Sequence, residues 1–258
     1  MNGRQSPLLA TLQMGLALSL LVLASLLAFL VAPFARRRTA FWFMARRYAR
    51  AVTRIWNVRH RMVGWENLPA PIRDGLQPAI FIANHTSNLD PIILACHLPC
   101  RPAFVAKQEV AFVPVLGWVT WLSGAIFVNR RDREKAIRSL RAAAQRVRGG
   151  LSVAAFPEGT RSRDGQLHPF KKGIFNLAFQ AGVPVVPMGL TGTFEILPPG
   201  HWRFLPGRVC LRVGRPLDPG AFADPDALRL AAETAMAELL ATSSNSTGQP
   251  RALMGSWP

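Results

Sequence analysis

The sequence predicts an α/β domain: a mixed, largely parallel sheet flanked by helices, preceded by a hydrophobic membrane-anchoring helix and an amphipathic interfacial helix. Three observations carry this. Residues 8–31 are an almost unbroken apolar run, residues 39–56 alternate aromatic and arginine residues at helical spacing, and from about Val58 short apolar strands alternate with helical segments. The chain divides accordingly into a membrane anchor and basic interfacial helix (1–62), a catalytic-size α/β domain (63–241) and a tail expected to be disordered (242–258).

The run from Leu8 to Val31 is interrupted only by Thr11, Gln13, Ser19 and Ser25. It exceeds the roughly 20 apolar residues that a helix needs to cross a bilayer core. It is too long for a signal-peptide core, and only Arg4 precedes it. The cluster Arg36-Arg37-Arg38 on its far side would stay cytoplasmic by the positive-inside rule, which puts the domain at the cytoplasmic face of the cell (inner) membrane. Crossing the bilayer and lying in its plane both remain open. In the next segment, Phe41, Ala45, Tyr48, Val52 and Ile55 form an apolar stripe, with Arg46, Arg47, Arg50 and Arg54 on other faces. That segment reads either as an interfacial helix or as a helix packed on the domain.

Strands are expected at 78–83 (PAIFIA), 103–107 (AFVAK), 125–129 (AIFVN), 151–156 (LSVAAF), 183–190 (VPVVPMGL) and 208–214 (RVCLRVG). Between them a helix begins at Asp90 as N-cap with Pro91 at N1. A basic helix spans 132–148 with Ile137, Leu140, Ala144 and Val147 inward, a short one spans 173–180 and ends near Gly182, and a last one spans 224–241.

Charge narrows the partners. There are 31 Lys and Arg against 14 Asp and Glu, a net charge of +17, and no acidic residue precedes Glu66. Half the residues are hydrophobic, high for a wholly soluble domain. Basic charge abutting an apolar anchor points to an anionic membrane surface. Aromatic residues gather beside the anchor instead of interleaving with a basic groove, which argues against nucleic acid. Cys96, Cys100 and Cys210 make no disulfide framework and fit a reducing compartment; Cys96-His97 with Cys100 lacks the second cluster that a metal site needs.

Two stretches carry chemistry. In "ANHTSNLDP" (83–91), His85 and Asp90 would lie about 140° apart on one straight helix, so they can meet only across a turn. A carboxylate there could hold imidazole Nδ1–H and leave Nε2 to accept a proton; capping of a helix by Asp90 is the alternative. "FPEGTRSRDGQLHPFKKG" (156–173) offers Glu158, Arg161, Lys171 and Lys172, a basic loop that could clamp phosphate or simply be solvated. No Gly-x-Ser-x-Gly elbow offers a serine nucleophile.

Taken together, "NHTSNLD", "GAIFVNR" (124–130), "FPEGTRS", "PFKKG" and "VPVVPMGL" resemble, in order and spacing, the blocks of the glycerophospholipid acyltransferases, most closely the bacterial 1-acyl-glycerol-3-phosphate acyltransferases. The resemblance covers about residues 60–215; Asn129 departs from the acidic residue often found in the second block. It implies that His85 is the general base and Asp90 its orienting partner. Arg130, Glu158, Gly159, Thr160 and Arg161 would bind the substrate phosphate, Lys107 would assist, and Lys171 and Lys172 would be additional basic contacts. It implies direct acyl transfer from acyl-CoA or acyl carrier protein to the sn-2 hydroxyl of a lysophosphatidate, with membrane lipids as surroundings and neither metal nor cofactor. Another acceptor, such as a lyso-ornithine lipid, keeps the same chemistry. A non-catalytic basic membrane-binding protein would explain the charge but not the ordered blocks.

Overall fold

The computed structural model describes residues 6–31, 37–98, 100–129 and 132–244. Two helices come first, α1 (Pro7–Val31) and α2 (Arg37–Ile55). The sheet domain follows in the order β1 (Val58–Val63), α3 (Ala70–Arg73), β2 (Ile80–Ala83), α4 (Asp90–His97), β3 (Ala103–Lys107), α5 (Leu116–Ser123), β4 (Ile126–Val128), α6 (Arg133–Arg148), β5 (Val153–Ala155), α7 (Gly173–Ala181), β6 (Val185–Thr191), α8 (Thr193–Ile196), β7 (Gly207–Val213) and α9 (Pro225–Ser244).

The described strands form one seven-stranded sheet of order β1-β7-β6-β2-β5-β3-β4. The five strands from β6 to β4 are parallel, while β7 runs antiparallel to β6 and carries β1 parallel to itself. β2 lies at the centre with all four residues buried, as expected of a parallel strand covered on both faces. Its side chains alternate: Phe81 and Ala83 join the core under α2 and α4, and Ile80 and Ile82 join the core under α6, α7 and α9. Burial of Ile80, Phe81 and Ile82 contributes roughly 1.5–3 kcal/mol each.

The expected strands and helices all occur, with ends shifted by a few residues. β1 is not among the individually expected strands, though it starts at Val58, where the strand–helix alternation was expected to begin, and it runs across the expected boundary at 62/63. α9 runs three residues past the expected end, and residues 245–258 of the expected tail lie outside the described residues.

α2 is amphipathic but not free to lie on a membrane by itself. Its most deeply buried residues, Trp42, Ala49, Val52 and Thr53, sit in and beside the expected stripe, whose Phe41, Ala45, Tyr48 and Ile55 also pack on the core, and the helix lies against α4, α5 and β1. Arg46, placed by its sequence position on a polar face, instead donates to the carbonyls of Leu98 (2.8 Å) and Cys100 (2.9 Å). α1 lies along α2, presenting the small residues Ala10, Ala17, Ser25 and Ala28 inward, and Gln13 donates to the Ile55 carbonyl at 2.7 Å. Small residues let the two helices approach closely. Leucines 8, 12, 16, 23 and 30 point outward and are at least half exposed. Among the described residues, α1 is the one helix long and apolar enough to cross a membrane.

Candidate active site

The five parallel strands deliver their carboxyl ends to one edge of the sheet, the edge where open α/β sheets place ligands. His85 follows β2, the Phe156–Gly159 turn follows β5, Lys107 ends β3, Asn129 follows β4 and Thr193 follows β6.

Asn84 fixes the first loop. Its side chain donates to the Leu190 carbonyl (2.9 Å) and accepts from the Leu190 N–H (2.7 Å), so a side-chain amide extends the β2–β6 pairing by one step. The chain then turns, and the His85 Nδ1 to Asp90 Oδ2 distance is 2.8 Å. The same oxygen accepts the backbone N–H of Thr86 and of Ser87, each at 2.8 Å. Helix capping by Asp90 therefore does not occur: Asp90 is the first residue of α4, and its fully buried carboxylate faces back along the turn, making no cap bond to α4. The imidazole stacks on Phe156, with centroids 3.9 Å apart and 15° between planes, and keeps 17% of its side-chain surface exposed. A partly open ring held at Nδ1 by a buried carboxylate is poised to act through Nε2.

The second loop is tied to the first. His85 N–H donates to Glu158 Oε1 (2.7 Å), and His168 N–H donates to Glu158 Oε2 (3.2 Å). Glu158 thus braces two backbone segments, and its carboxylate, once expected among the phosphate contacts, is turned inward and buried. Burial raises its pKa to about 7 against the opposing pull of those two N–H donors. Gly159 sits at φ +81°, a conformation that glycine adopts without strain, and its N–H closes the turn on the Phe156 carbonyl (3.1 Å). Arg161 donates to Asn88 Oδ1 (2.8 Å), and Ser162 N–H donates to the His85 carbonyl (2.7 Å). Asp164 accepts from Ser162 Oγ (2.7 Å) and lies 3.1 Å from His168 Nε2; chiefly the Ser162 hydroxyl holds its pKa down to about 2.

The remaining expected residues scatter around this centre. Thr160 is exposed on the loop. Lys107 pairs with Glu109 at 3.1 Å. Lys171 is exposed, its N–H donating to the Pro157 carbonyl, and Lys172 pairs with Asp226 at the start of α9 (2.5 Å), directed toward α9. Arg130 lies outside the described residues. Asn84, Asn88, Phe156, His168 and Thr193 join the site without having been singled out. Asn84 and Phe156 adjoin the motif residues, but no spacing links Thr86 to Thr193, whose hydroxyls meet at 3.1 Å.

Chemically, the arrangement can withdraw a proton from a hydroxyl. The nearby hydroxyls of the loop are engaged in structure: Ser87 Oγ donates to the Leu197 carbonyl (2.6 Å), and Thr86 meets Thr193. A hydroxyl brought by a bound molecule would meet Nε2 beside a loop carrying Arg161. A His–Asp pair with a guanidinium nearby, on the carboxyl edge of a parallel sheet, supplies the groups that general-base chemistry on an anionic alcohol requires.

Comparison with known proteins gives the class its family. The acyltransferase family model matches residues 59–191, more than half of the chain, and the chain belongs to that family. A 1-acyl-sn-glycerol-3-phosphate acyltransferase of Chlamydomonas reinhardtii is 37% identical over 225 residues, covering 86% of this chain and 66% of the relative. The Saccharomyces cerevisiae enzyme of the same description is 34% identical (76% of this chain, 63% of the relative), and that of Haemophilus influenzae is 34% identical (60% and 64%). The match thus spans less than two thirds of the length of each of these relatives. The crystal structure of the 1-acyl-sn-glycerophosphate (LPA) acyltransferase PlsC from Thermotoga maritima superposes with a TM-score of 0.70 at 26% identity, covering 89% of this chain and 97% of that one.

Proposed function

We propose that the protein transfers an acyl group from a thioester donor, acyl-CoA or acyl carrier protein, to the free sn-2 hydroxyl of 1-acyl-glycerol-3-phosphate, yielding phosphatidate. The observation that carries this is the His85–Asp90 contact, set beside Arg161 and supported by relatives named for that reaction. In this reading His85 Nε2 accepts the hydroxyl proton as the oxygen attacks the thioester carbonyl. The tetrahedral oxyanion collapses, the C–S bond breaks, and the imidazolium proton passes to the departing thiolate. Asp90 holds the tautomer and balances the imidazolium charge. Arg161, Lys107 and Arg130 bind the phosphate; Gly159 and Thr160 shape the loop beneath it; Lys171 and Lys172 lend longer-range charge. Glu158 positions the His85 backbone. The N–H groups of Thr86 and Ser87 face Asp90, so oxyanion stabilisation falls to other donors.

The packing of α1 and α2 supports a reading of location. α1 is packed along α2, and α2 along the domain, which favours an in-plane anchor over a free-standing span. Exposed Trp118 and Trp121 on α5 continue the apolar surface of α1 and suit an interfacial position on the cytoplasmic face of the inner membrane.

The test is mass spectrometry of products from purified protein given acyl-CoA and competing lysolipids, lyso-ornithine lipid among them. Phosphatidate is expected as the main product. Preference for another acceptor would overturn the assignment, and near-normal turnover by His85→Ala would overturn the mechanism.

A further inference from the structure

A cleft of about 400 Å³ opens beside the reacting groups without including them. It is lined by Gln108, Phe112, Phe127, Asn129, Lys135 and Arg138, among others. Gln108 directly follows the end of β3 and Asn129 the end of β4, so the cleft lies on the same carboxyl edge as His85. β4 stands three strand positions from β2, a lateral offset of about 14 Å. One wall is aromatic. The other is the first two turns of α6, a helix with six basic residues against one acidic. Among the described residues, Lys135 pairs with the partly exposed Asp132 at 3.2 Å and Arg138 with the exposed Glu134 at 3.9 Å, contacts weak enough for an incoming phosphate to displace.

We propose that this cleft binds the nucleotide end of a coenzyme A thioester, with Lys135 and Arg138 on its phosphates and Phe112 and Phe127 against its adenine. The inference rests on the acyl-transfer reading above and names the donor. The volume falls within the range of small-molecule sites. Basic groups beside aromatic rings match a ligand that joins phosphates to a purine. The offset from β2 leaves an extended pantetheine arm room to present its thioester at His85. A lysophosphatidate has no ring for the aromatic wall, and a carrier-borne phosphopantetheine brings a single phosphodiester and no purine.

The full-length protein and its Lys135→Glu/Arg138→Glu variant are titrated calorimetrically with coenzyme A and with adenosine 3′,5′-bisphosphate. The unaltered protein is expected to bind both, and the double reversal to weaken both at least tenfold, with melting temperature and affinity for short-chain lysophosphatidate unchanged. Coenzyme A binding that is absent, or equal in both proteins, overturns the proposal. So does a reversal that weakens an acyl carrier protein while sparing coenzyme A. Because binding is read without turnover, failure to acylate lysophosphatidate would remove the functional reading and leave this titration interpretable. Turnover of acyl-CoA with an unaltered KM in the variant would remove the cleft alone.

Discussion

Asp90 shows how one carboxylate oxygen can organise a site. Oδ2 gathers three donors, from His85, Thr86 and Ser87, and thereby sets both the turn and the imidazole tautomer. Asp90→Asn keeps one oxygen for the same three donors, but it removes the negative charge that balances an imidazolium and puts an NH2 at the buried Oδ1 position, which has no partner among the described residues. Its kcat is expected to fall about 10²–10⁴-fold with KM for the lysolipid little changed, read by steady-state kinetics. Glu158 gives a pH signature. Its folded pKa of about 7 lies above the ordinary 4.5, so the folded state binds more protons between those values. Stability from this group is therefore full below about pH 4.5 and lost as pH rises toward 7. Denaturant unfolding at stepped pH should show that decline, and Glu158→Gln should flatten it. The dyad was legible because six consecutive residues, His85 to Asp90, contain it. The inward turn of Glu158 and the Phe156 stack were not, since both depend on β5 lying beside β2.

At the level of elements, most strands were legible as short apolar runs between turn residues. β1 was not: VRHRMV places Arg59, His60 and Arg61 in a row, and only pairing with β7 makes it a strand. α5 escaped notice because LGWVTWLS is eight residues long and lacks a polar face to mark a helical period. α2 was legible together with its stripe of Phe41, Ala45, Tyr48, Val52 and Ile55, all packed on the core; the burial of Trp42 and Ala49 beside that stripe was not, since it depends on α4 lying against the helix. The turn from β6 to α8 tests the architecture. Gly192 has φ +92°, and a Cβ there would lie 2.0 Å from the Arg208 carbonyl oxygen. Gly192→Ala should cost about 2–4 kcal/mol in urea unfolding and, by moving Thr193, slow turnover as well.

Across the whole molecule, the charge of +17 and the apolar face of α1 and α5 act at different ranges. Charge governs approach and is screened within about 10 Å at 0.1 M salt; apolar insertion governs retention and is not screened. Association with vesicles rich in anionic lipid should therefore slow severalfold between 0.05 and 0.5 M salt, by the screening just described, while protein already bound resists a salt wash. Stopped-flow light scattering and vesicle flotation read the two separately. A last consequence concerns portability. The first loop is anchored outside itself at every turn: Asn84 on Leu190, His85 on Glu158, Thr86 on Thr193, Ser87 on Leu197. A chain cut before β6 would keep His85, Asp90, Glu158 and Arg161 yet lose three of those four moorings. The loop is thus no cassette to be grafted onto another scaffold; the smallest piece that holds it in this shape is nearly the whole sheet.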